Sequence, residues 1–334
     1  MQIQQNVSLK PFNSFGIDTA AEYYTPLTSE GQLAEITDSK LAKRVVGGGS
    51  NILLTKPVAG LVVHNQLKGI DIVEENDEHV WLEVKAGEVW HDLVMYSINK
   101  GWSGLENLSL IPGCVGASPM QNIGAYGVEV KETIDQVMAW HWQDKDFIIL
   151  KNEDCRFGYR DSIFKHELKD KTLITSVTFK LNKIHCLNTS YGAIQQQLET
   201  MGVTEPDIKS VSNAVIAIRS SKLPDPRKIG NAGSFFKNPT IEKSLYEQLL
   251  VTYPALPSYP VADGMIKIPA GWLIEQAGWK GVREGGAGVH EKQALVLVNY
   301  GQAKGADIWN LSEHILQSIK EKFGIELERE VNIW

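Results

Sequence analysis

Apolar positions recur along this chain with two periods, and the switches between them mark its elements. From Val80 to Lys85 the aliphatic residues Val80, Leu82 and Val84 fall at every second position, the signature of a half-buried strand. From Glu88 to Lys100 the apolar residues Val89, Leu93 and Tyr96 fall at helical spacing, and Gly101 supplies the stop. Short apolar runs predict strands over 44–46, 52–55 and 60–64, and a short helix over 29–41 would precede them, capped by Thr28 or Ser29. Residues 133–141 and 146–150 read as paired strands, 173–181 as another strand, and 191–200 and 213–221 as helices. These pieces predict a mixed α/β region through about Lys222.

The step Leu223-Pro224-Asp225-Pro226 interrupts the pattern and predicts a domain boundary. Beyond it, helices are expected over 244–251 and 270–277, the second closed by Gly278. Residues 295–299 form an apolar run that reads as a buried strand. A long helix should follow, capped by Asp307, with the stripe Leu311, Ile315, Ile319 and Phe323, and ended by Gly324. From Ile325 the chain alternates like a strand.

Composition narrows the function classes. The length of 334 residues suggests two or three domains, and a net charge of -7 gives no support to nucleic-acid binding. An anionic ligand would have to be met by local cations. The three cysteines, Cys114, Cys155 and Cys186, lie far apart without metal spacing, which fits a reducing compartment. None of the histidines shows metal-ligand pairing; His64, His91, His290 and His314 read as structural or surface groups, and no metal is expected. No apolar run reaches membrane-spanning length and no signal-peptide pattern opens the chain, so a cytoplasmic location is expected.

Four stretches carry candidate chemistry. Gly230-Asn231-Ala232-Gly233-Ser234-Phe235-Phe236-Lys237-Asn238-Pro239 places a hydroxyl between a glycine and two phenylalanines, an apolar setting in which it could donate a proton. A tight turn entering a Phe-rich strand explains the same residues. Gly47-Gly48-Gly49-Ser50-Asn51 between two apolar runs could gather backbone N–H groups around a phosphate, or simply turn a hairpin; it lacks the G-x-G-x-x-G spacing of the dinucleotide fingerprint. Residues 104–127 hold too much Gly and Pro for one element and too little polarity for a solvated loop. Such a segment lines a buried ligand with backbone, or forms a buried connection. Cys155-Arg156-Phe157-Gly158-Tyr159-Arg160-Asp161 sets arginines among aromatics, suited to a planar anion or, more plainly, to an ion pair between Arg160 and Asp161.

In their order these stretches closely resemble the UDP-N-acetylenolpyruvoylglucosamine reductases. The resemblance runs from Asn13-Ser14-Phe15-Gly16 to Leu327-Glu328-Arg329-Glu330-Val331 and includes Lys222-Leu223-Pro224-Asp225-Pro226, Lys267-Ile268-Pro269-Ala270-Gly271 and Gln293-Ala294-Leu295. It implies an α+β fold: a two-subdomain FAD-binding module of the vanillyl-alcohol-oxidase/PCMH type plus an α+β substrate-binding domain. The implied parts are 1–70 with the tail 325–334, 71–222, and 223–324.

The resemblance also implies the chemistry. NADPH would reduce non-covalent FAD, which would pass hydride to the methylene carbon of UDP-N-acetylglucosamine enolpyruvate; protonation of the neighbouring carbon would complete UDP-N-acetylmuramate for peptidoglycan. The implied catalytic residues are Arg160 for the enolate, Ser234 as proton donor and Glu330 as a supporting acid. Glu328 lies two residues from Glu330, and spacing alone does not choose between them. FAD would lie along Gly47, Gly48, Gly49, Ser50 and Asn51, and along Pro112, Gly113, Gly116, Ala117, Ser118, Gln121, Asn122 and Ile123, with Arg219 within reach. Ser50 stands where some related flavoproteins attach flavin through histidine. Tyr126, Tyr159, Tyr191, Lys222, Asn238, Lys267 and Gln293 would meet the UDP-sugar, Tyr191 matching the diphosphate-closing tyrosine of one subtype. The enzyme is expected to be a monomer. A flavin oxidase, a catalytically silent sugar-nucleotide binder and a nicotinamide-only dehydrogenase are the competing readings; the missing Rossmann spacing counts against the last.

Overall fold

The computed structural model describes residues 2–334, the side chain of Ala262 excepted; Met1, first residue of the expected 1–70 part, lies outside them. By contacts the chain divides into two compact units. One comprises 1–7, 20–49 and 59–221; the other comprises 8–19, 50–58 and 222–334. Each therefore draws on separated stretches of sequence. Helices and strands are mixed in both.

In the first unit, a four-stranded sheet runs in the order Gln4–Ser8, Ala20–Leu27, Val58–Asn65, Lys43–Val46. The last two are parallel, with Val45 opposite Val63 and Val46 opposite His64. A five-stranded antiparallel sheet has the order Asp146–Lys151, Ile134–His141, Thr172–Asn182, His79–Lys85, Ile70–Glu75. Its register aligns Leu150, Val137, Val177 and Val84 across four strands, and all four are buried. The helix Trp90–Asn99 covers this face with Trp90, Leu93, Val94 and Ile98, and Trp90 meets Phe179 edge-on at 5.9 Å. Alternation along Val80–Lys85 thus did what alternation does: it put one row of apolar side chains on one face.

The second unit contains a four-stranded antiparallel sheet in the order Gly230–Ser234, Val296–Asn299, Ala287–Val289, Arg283–Glu284. The helix Gly305–Phe323 buries Ile308, Leu311, Ile315, Ile319 and Phe323, the expected stripe extended by one turn. A three-stranded sheet orders Thr240–Glu242, Met265–Lys267, Tyr259–Pro260, and the chain end Asn332–Ile333 lies parallel to Ile52–Leu53.

Several expectations need correction. Asp307 is not the cap of the long helix. The helix starts at Gly305, and Asp307, in its first turn, accepts the Lys304 N–H through Oδ2 at 2.8 Å. The helix expected from 213 begins at Ile208, because Asp207 accepts the Ser210 N–H and caps it five residues earlier. The expected helix over 29–41 shortens to a 3-10 turn, Glu30–Gln32, and Leu33–Asp38; Ser29 caps it with Gln32. Lys40 stops it in the left-handed region at φ 56. The tail is not a strand from 325; only Asn332–Ile333 is. The strands Gln4–Ser8 and Ile70–Glu75 escaped sequence reading because nearly all their residues are exposed, so no apolar face marks them.

Gly305 shows why small residues occur where they do. A Cβ there would lie 1.8 Å from the Leu54 carbonyl oxygen and 2.9 Å from Thr55 Cα. The helix start rests on that backbone. Gly305→Ala is expected to destabilise the protein by about 2–3 kcal/mol through overpacking, despite alanine's better helix propensity. Thermal unfolding checks this; an unchanged Tm would mean that the helix can back away from Leu54 freely.

Candidate active site

The first unit carries two glycine-rich loops set against each other. The strand Lys43–Val46 delivers Gly47 and Gly48 to the backbone of residues 113–114. A Cβ on Gly48 would lie 3.0 Å from Gly113 Cα, and one on Gly47 would lie 3.3 Å from Cys114 Cβ. The second loop is sewn to the chain before Trp90 by main-chain bonds: Gly116 N–H to Ala86 O, Val115 N–H to Glu88 O and Trp90 N–H to Gly113 O, at 2.9, 2.9 and 3.0 Å. A Cβ at Gly116 would lie 2.6 Å from Ala86 Cβ. Glycine here serves close backbone approach.

These loops fit a bound dinucleotide such as FAD. They present backbone and small side chains, and a buried hydroxyl, Ser118 Oγ, has no hydrogen-bond partner in the described protein. A buried donor left so costs free energy that a bound polar group would restore. Asn122 is different. Its side chain is engaged by the protein: Nδ2 donates to Glu129 Oε2 and Gly158 O, both at 2.9 Å, and Oδ1 accepts the Lys131 N–H at 3.1 Å. Both of its amide hydrogens are thus taken by the protein.

Arg160 lies inside the tight turn closed by the Gly158–Asp161 pairing. Its Nη2 donates to Gly124 O at 2.7 Å, and its guanidinium lies 5.6 Å from the Tyr159 ring centre. Asp161 accepts instead from the His166 ring at 2.8 Å. Arg219, from the helix Ile208–Lys222, stands within electrostatic reach of Tyr126 and Arg160. Its surroundings exclude water enough to lower its pKa; the Tyr126 hydroxyl opposes that shift and Arg160 adds to it. Its Nε is buried without a hydrogen-bond partner in the described protein. Tyr126 meets Tyr191 edge-on at 5.4 Å, and burial raises the Tyr126 pKa. Two guanidinium groups and two phenols thus gather in this unit, a donor set for an anion.

The second unit holds the other candidates. Asn231 prepares the Ser234 turn: its Oδ1 accepts the Gly233 N–H at 3.0 Å, and its Nδ2 donates to Pro224 O and Ile229 O. Gly233, at φ 70, takes the conformation that glycine adopts without strain. The strand is pinned from behind, because Asn231 N–H donates to Ser14 O and a Cβ on Gly230 would lie 2.2 Å from Phe15 O. Phe235 and Phe236 are buried, Phe235 edge-on to Phe15 at 6.3 Å. Ser234 itself is exposed. The water-poor setting expected from its neighbours is therefore absent: the phenylalanines turn into the core and leave the serine outside.

The C-terminal tail lies beside this strand. Glu330 N–H donates to Phe235 O and Lys237 N–H to Glu328 O, each at 2.9 Å, flanking an antiparallel bridge between Phe236 and Arg329. Asn51 Nδ2 donates to Glu330 O at 3.2 Å. The two glutamates separate here. Glu328 is exposed and ion-paired with Lys237 Nζ at 2.6 Å, whereas Glu330 is half-buried next to the Ser234 segment. Asn238 Oδ1 accepts the Ala270 N–H at 2.9 Å and so opens the helix Ala270–Gln276. Lys267 ends a strand with Thr240 opposite it, half-buried; Gln293 Oε1 accepts the Leu295 N–H at 3.3 Å; Lys222 is exposed at its helix end. Sequence reading gave no role to Arg329, which lies between the two glutamates. Among the described residues no cluster of three or more His, Cys, Asp or Glu could hold a metal, and no helix is long and apolar enough to cross a membrane.

Comparison with known proteins identifies the family. Residues 225–334 match the family model of the UDP-N-acetylenolpyruvoylglucosamine reductase C-terminal domain, and residues 29–145 match that of an FAD binding domain. The UDP-N-acetylenolpyruvoylglucosamine reductase of Flavobacterium johnsoniae is 51% identical over 336 residues, covering 100% of both chains. That of Chromobacterium violaceum is 49% identical over 335 residues, covering 99% of this chain and 98% of the relative. A crystal structure of the UDP-N-acetylenolpyruvylglucosamine reductase of Thermus caldophilus aligns with a TM-score of 0.71 at 25% identity, over 100% of this chain and 99% of the other. The fold is thus the α+β flavoprotein architecture that the motifs implied. With about half its residues shared along its whole length, the chain belongs to the UDP-N-acetylenolpyruvoylglucosamine reductase family and is an FAD-dependent oxidoreductase.

Proposed function

We propose that this protein uses NADPH to reduce UDP-N-acetylglucosamine enolpyruvate to UDP-N-acetylmuramate, a precursor of peptidoglycan, as a cytoplasmic monomer. The observation that carries this reading is full-length similarity to reductases named for that substrate. FAD, held without a covalent bond, would accept hydride from NADPH and supply it to the enolpyruvyl methylene carbon. In this reading 1–70 with 325–334 and 71–222 hold the flavin, and 223–324 receives the sugar nucleotide.

The protein's residues then divide the remaining work. Hydride addition leaves negative charge on the substrate carboxylate as an enolate. A fixed guanidinium stabilises such charge where water is scarce. Arg160 takes that role: its bond to the Gly124 carbonyl fixes the plane of the fork, and Arg219 adds a second positive charge nearby. The carbon bearing the ether oxygen needs a proton, which Ser234 would give. Glu330, in protonated form, would stabilise the enolate. Tyr126, Tyr159 and Tyr191, with Lys222, Asn238, Lys267 and Gln293, would bind the sugar nucleotide, and Tyr191 would close over the diphosphate. Its exposed ring suits that task, because a closing group must first be accessible. Since Ser234 is exposed, the bound substrate itself must supply the water exclusion that the serine lacks. One pocket serving both nicotinamide and sugar gives ping-pong kinetics.

Anaerobic stopped-flow measurement of the two half-reactions tests these roles. Ser234→Ala should leave flavin reduction by NADPH near the wild-type rate and slow reoxidation by the enolpyruvyl sugar about 10²–10⁴-fold; equal losses in both halves would remove the proton-donor role. Arg160→Lys keeps the charge but loses the planar fork and its stacking on Tyr159, so reoxidation should fall about 10²–10³-fold. A lysine variant with wild-type reoxidation would show that charge alone suffices. Rapid reoxidation by oxygen without any sugar substrate would favour an oxidase.

A further inference from the structure

We propose that Arg329 is a positioning residue for Glu330: it locks the register of the C-terminal tail and thereby sets the acid beside the Ser234 segment. This rests on the role given above to Glu330. Arg329 pairs with Phe236 in the antiparallel bridge, so its backbone sits between the two bonds that join the tail to the strand of Ser234. Its side chain reaches the helix Gly305–Phe323 and is held there at three points. Nε donates to Ser312 Oγ at 2.8 Å, Nη2 donates to Glu313 Oε1 at 2.7 Å, and the guanidinium carbon lies 3.9 Å from the Trp309 ring centre. Ser312 is fully buried and donates its own hydroxyl hydrogen bond to Trp309 O at 2.6 Å, so the contact has no loose end. The Arg329 side chain is only 16% exposed, in contrast to the 72% of Glu328 one residue earlier.

Tail backbone alone would not hold the acid this well. Residues 325–331 form no regular strand, and the bonds of Lys237 and Glu330 are the main-chain ties on either side of the bridge. Past Val331 the tail is tied again, by Asn332 N–H to Asn51 O and Trp334 N–H to Leu53 O, so the free play lies in 325–330, where so short a ladder frays unless a side chain fixes it. Fraying there would draw Glu330 away from the Ser234 segment. Arg329 prevents this because a guanidinium fork can satisfy Ser312, Glu313 and the Trp309 face together only in one register.

The test uses the FAD-loaded, full-length protein with Arg329→Met, Arg329→Lys and Glu330→Gln. Hydrogen exchange of the tail amides is followed by mass spectrometry, and both half-reactions by stopped flow. Arg329→Met is expected to speed exchange of the Glu330 amide about ten-fold or more while the Gly305–Phe323 helix stays protected. It should slow the enolpyruvyl-sugar half-reaction about 10²-fold with NADPH reduction unchanged, and Arg329→Lys should recover only part of that loss. Should Arg329→Met fold poorly, Glu313→Gln and Trp309→Leu, which each remove one contact, give smaller changes in the same direction. Wild-type exchange at Glu330 in these variants, or wild-type reoxidation by Arg329→Met beside a slow Glu330→Gln, overturns the inference while leaving Glu330 its role. Wild-type reoxidation by Glu330→Gln overturns the reading of Glu330 and, by that separate result, the inference built on it.

Discussion

The approach of one glycine loop to another is the constraint on which the cofactor half of this protein depends. Gly48 faces Gly113 with room for hydrogen atoms and little else. A side chain at Gly48 would press the two loops apart by a few tenths of an ångström, against the main-chain bonds that hold residues 113–116 to 86–90. Those bonds reach the core, since Ala86 and Trp90 are buried with Phe179 and Val177 of the five-stranded sheet. The loops are therefore rigid by attachment and not by regular structure. That suits backbone recognition: an N–H group aims well only when its peptide plane is fixed.

In the second unit the same work is done by long-range main-chain pairing. The Ser234 strand is bounded by three separate pieces of sequence. Ser14 and Phe15 hold its start, Val296–Asn299 pairs along it, and the tail crosses its far end. None of these pieces is a sequence neighbour of Ser234, so its location is a tertiary property. The conservative geometry of each contact matters more than its strength, because a one-residue slip moves every side chain to the opposite face.

The long elements were legible in the sequence because their periodicity was strong. The stripe of the 305–323 helix and the alternation of 79–85 both follow from a single buried face. Edge strands such as Ile70–Glu75 were not, since five of its six residues are exposed and no face is marked. Helix starts were misjudged where capping came from a neighbouring side chain, as at Asp207, and not from the first apolar residue. At the site, motif order identified the segments but not their environments. Ser234 lies next to two phenylalanines in sequence and yet outside the core in space, because it sits at the end of its strand, past a register shift, while Phe235 and Phe236 both turn inward. Spacing could not tell Glu328 from Glu330; the resemblance chose the second, and in the structure Lys237, about ninety positions away, captures the first.

The distribution of backbone strain adds a last step. Asn122, Tyr126 and Arg160 all have positive φ, at 43°, 51° and 54°. Asparagine tolerates this conformation, whereas for tyrosine and arginine it costs on the order of 1–2 kcal/mol each. Such positions persist only where the surroundings impose them. Asn122 is the imposing group: its amide ties its own loop to Gly158, two residues before Arg160, and to Glu129 and Lys131, which follow Tyr126. Arg160 then returns a bond to the carbonyl of Gly124, between Asn122 and Tyr126. The three residues thus form a closed circuit, in which one buried amide ties down the loops whose conformations Tyr126 and Arg160 adopt. A single buried amide can in this way decide where side chains on two separate loops stand.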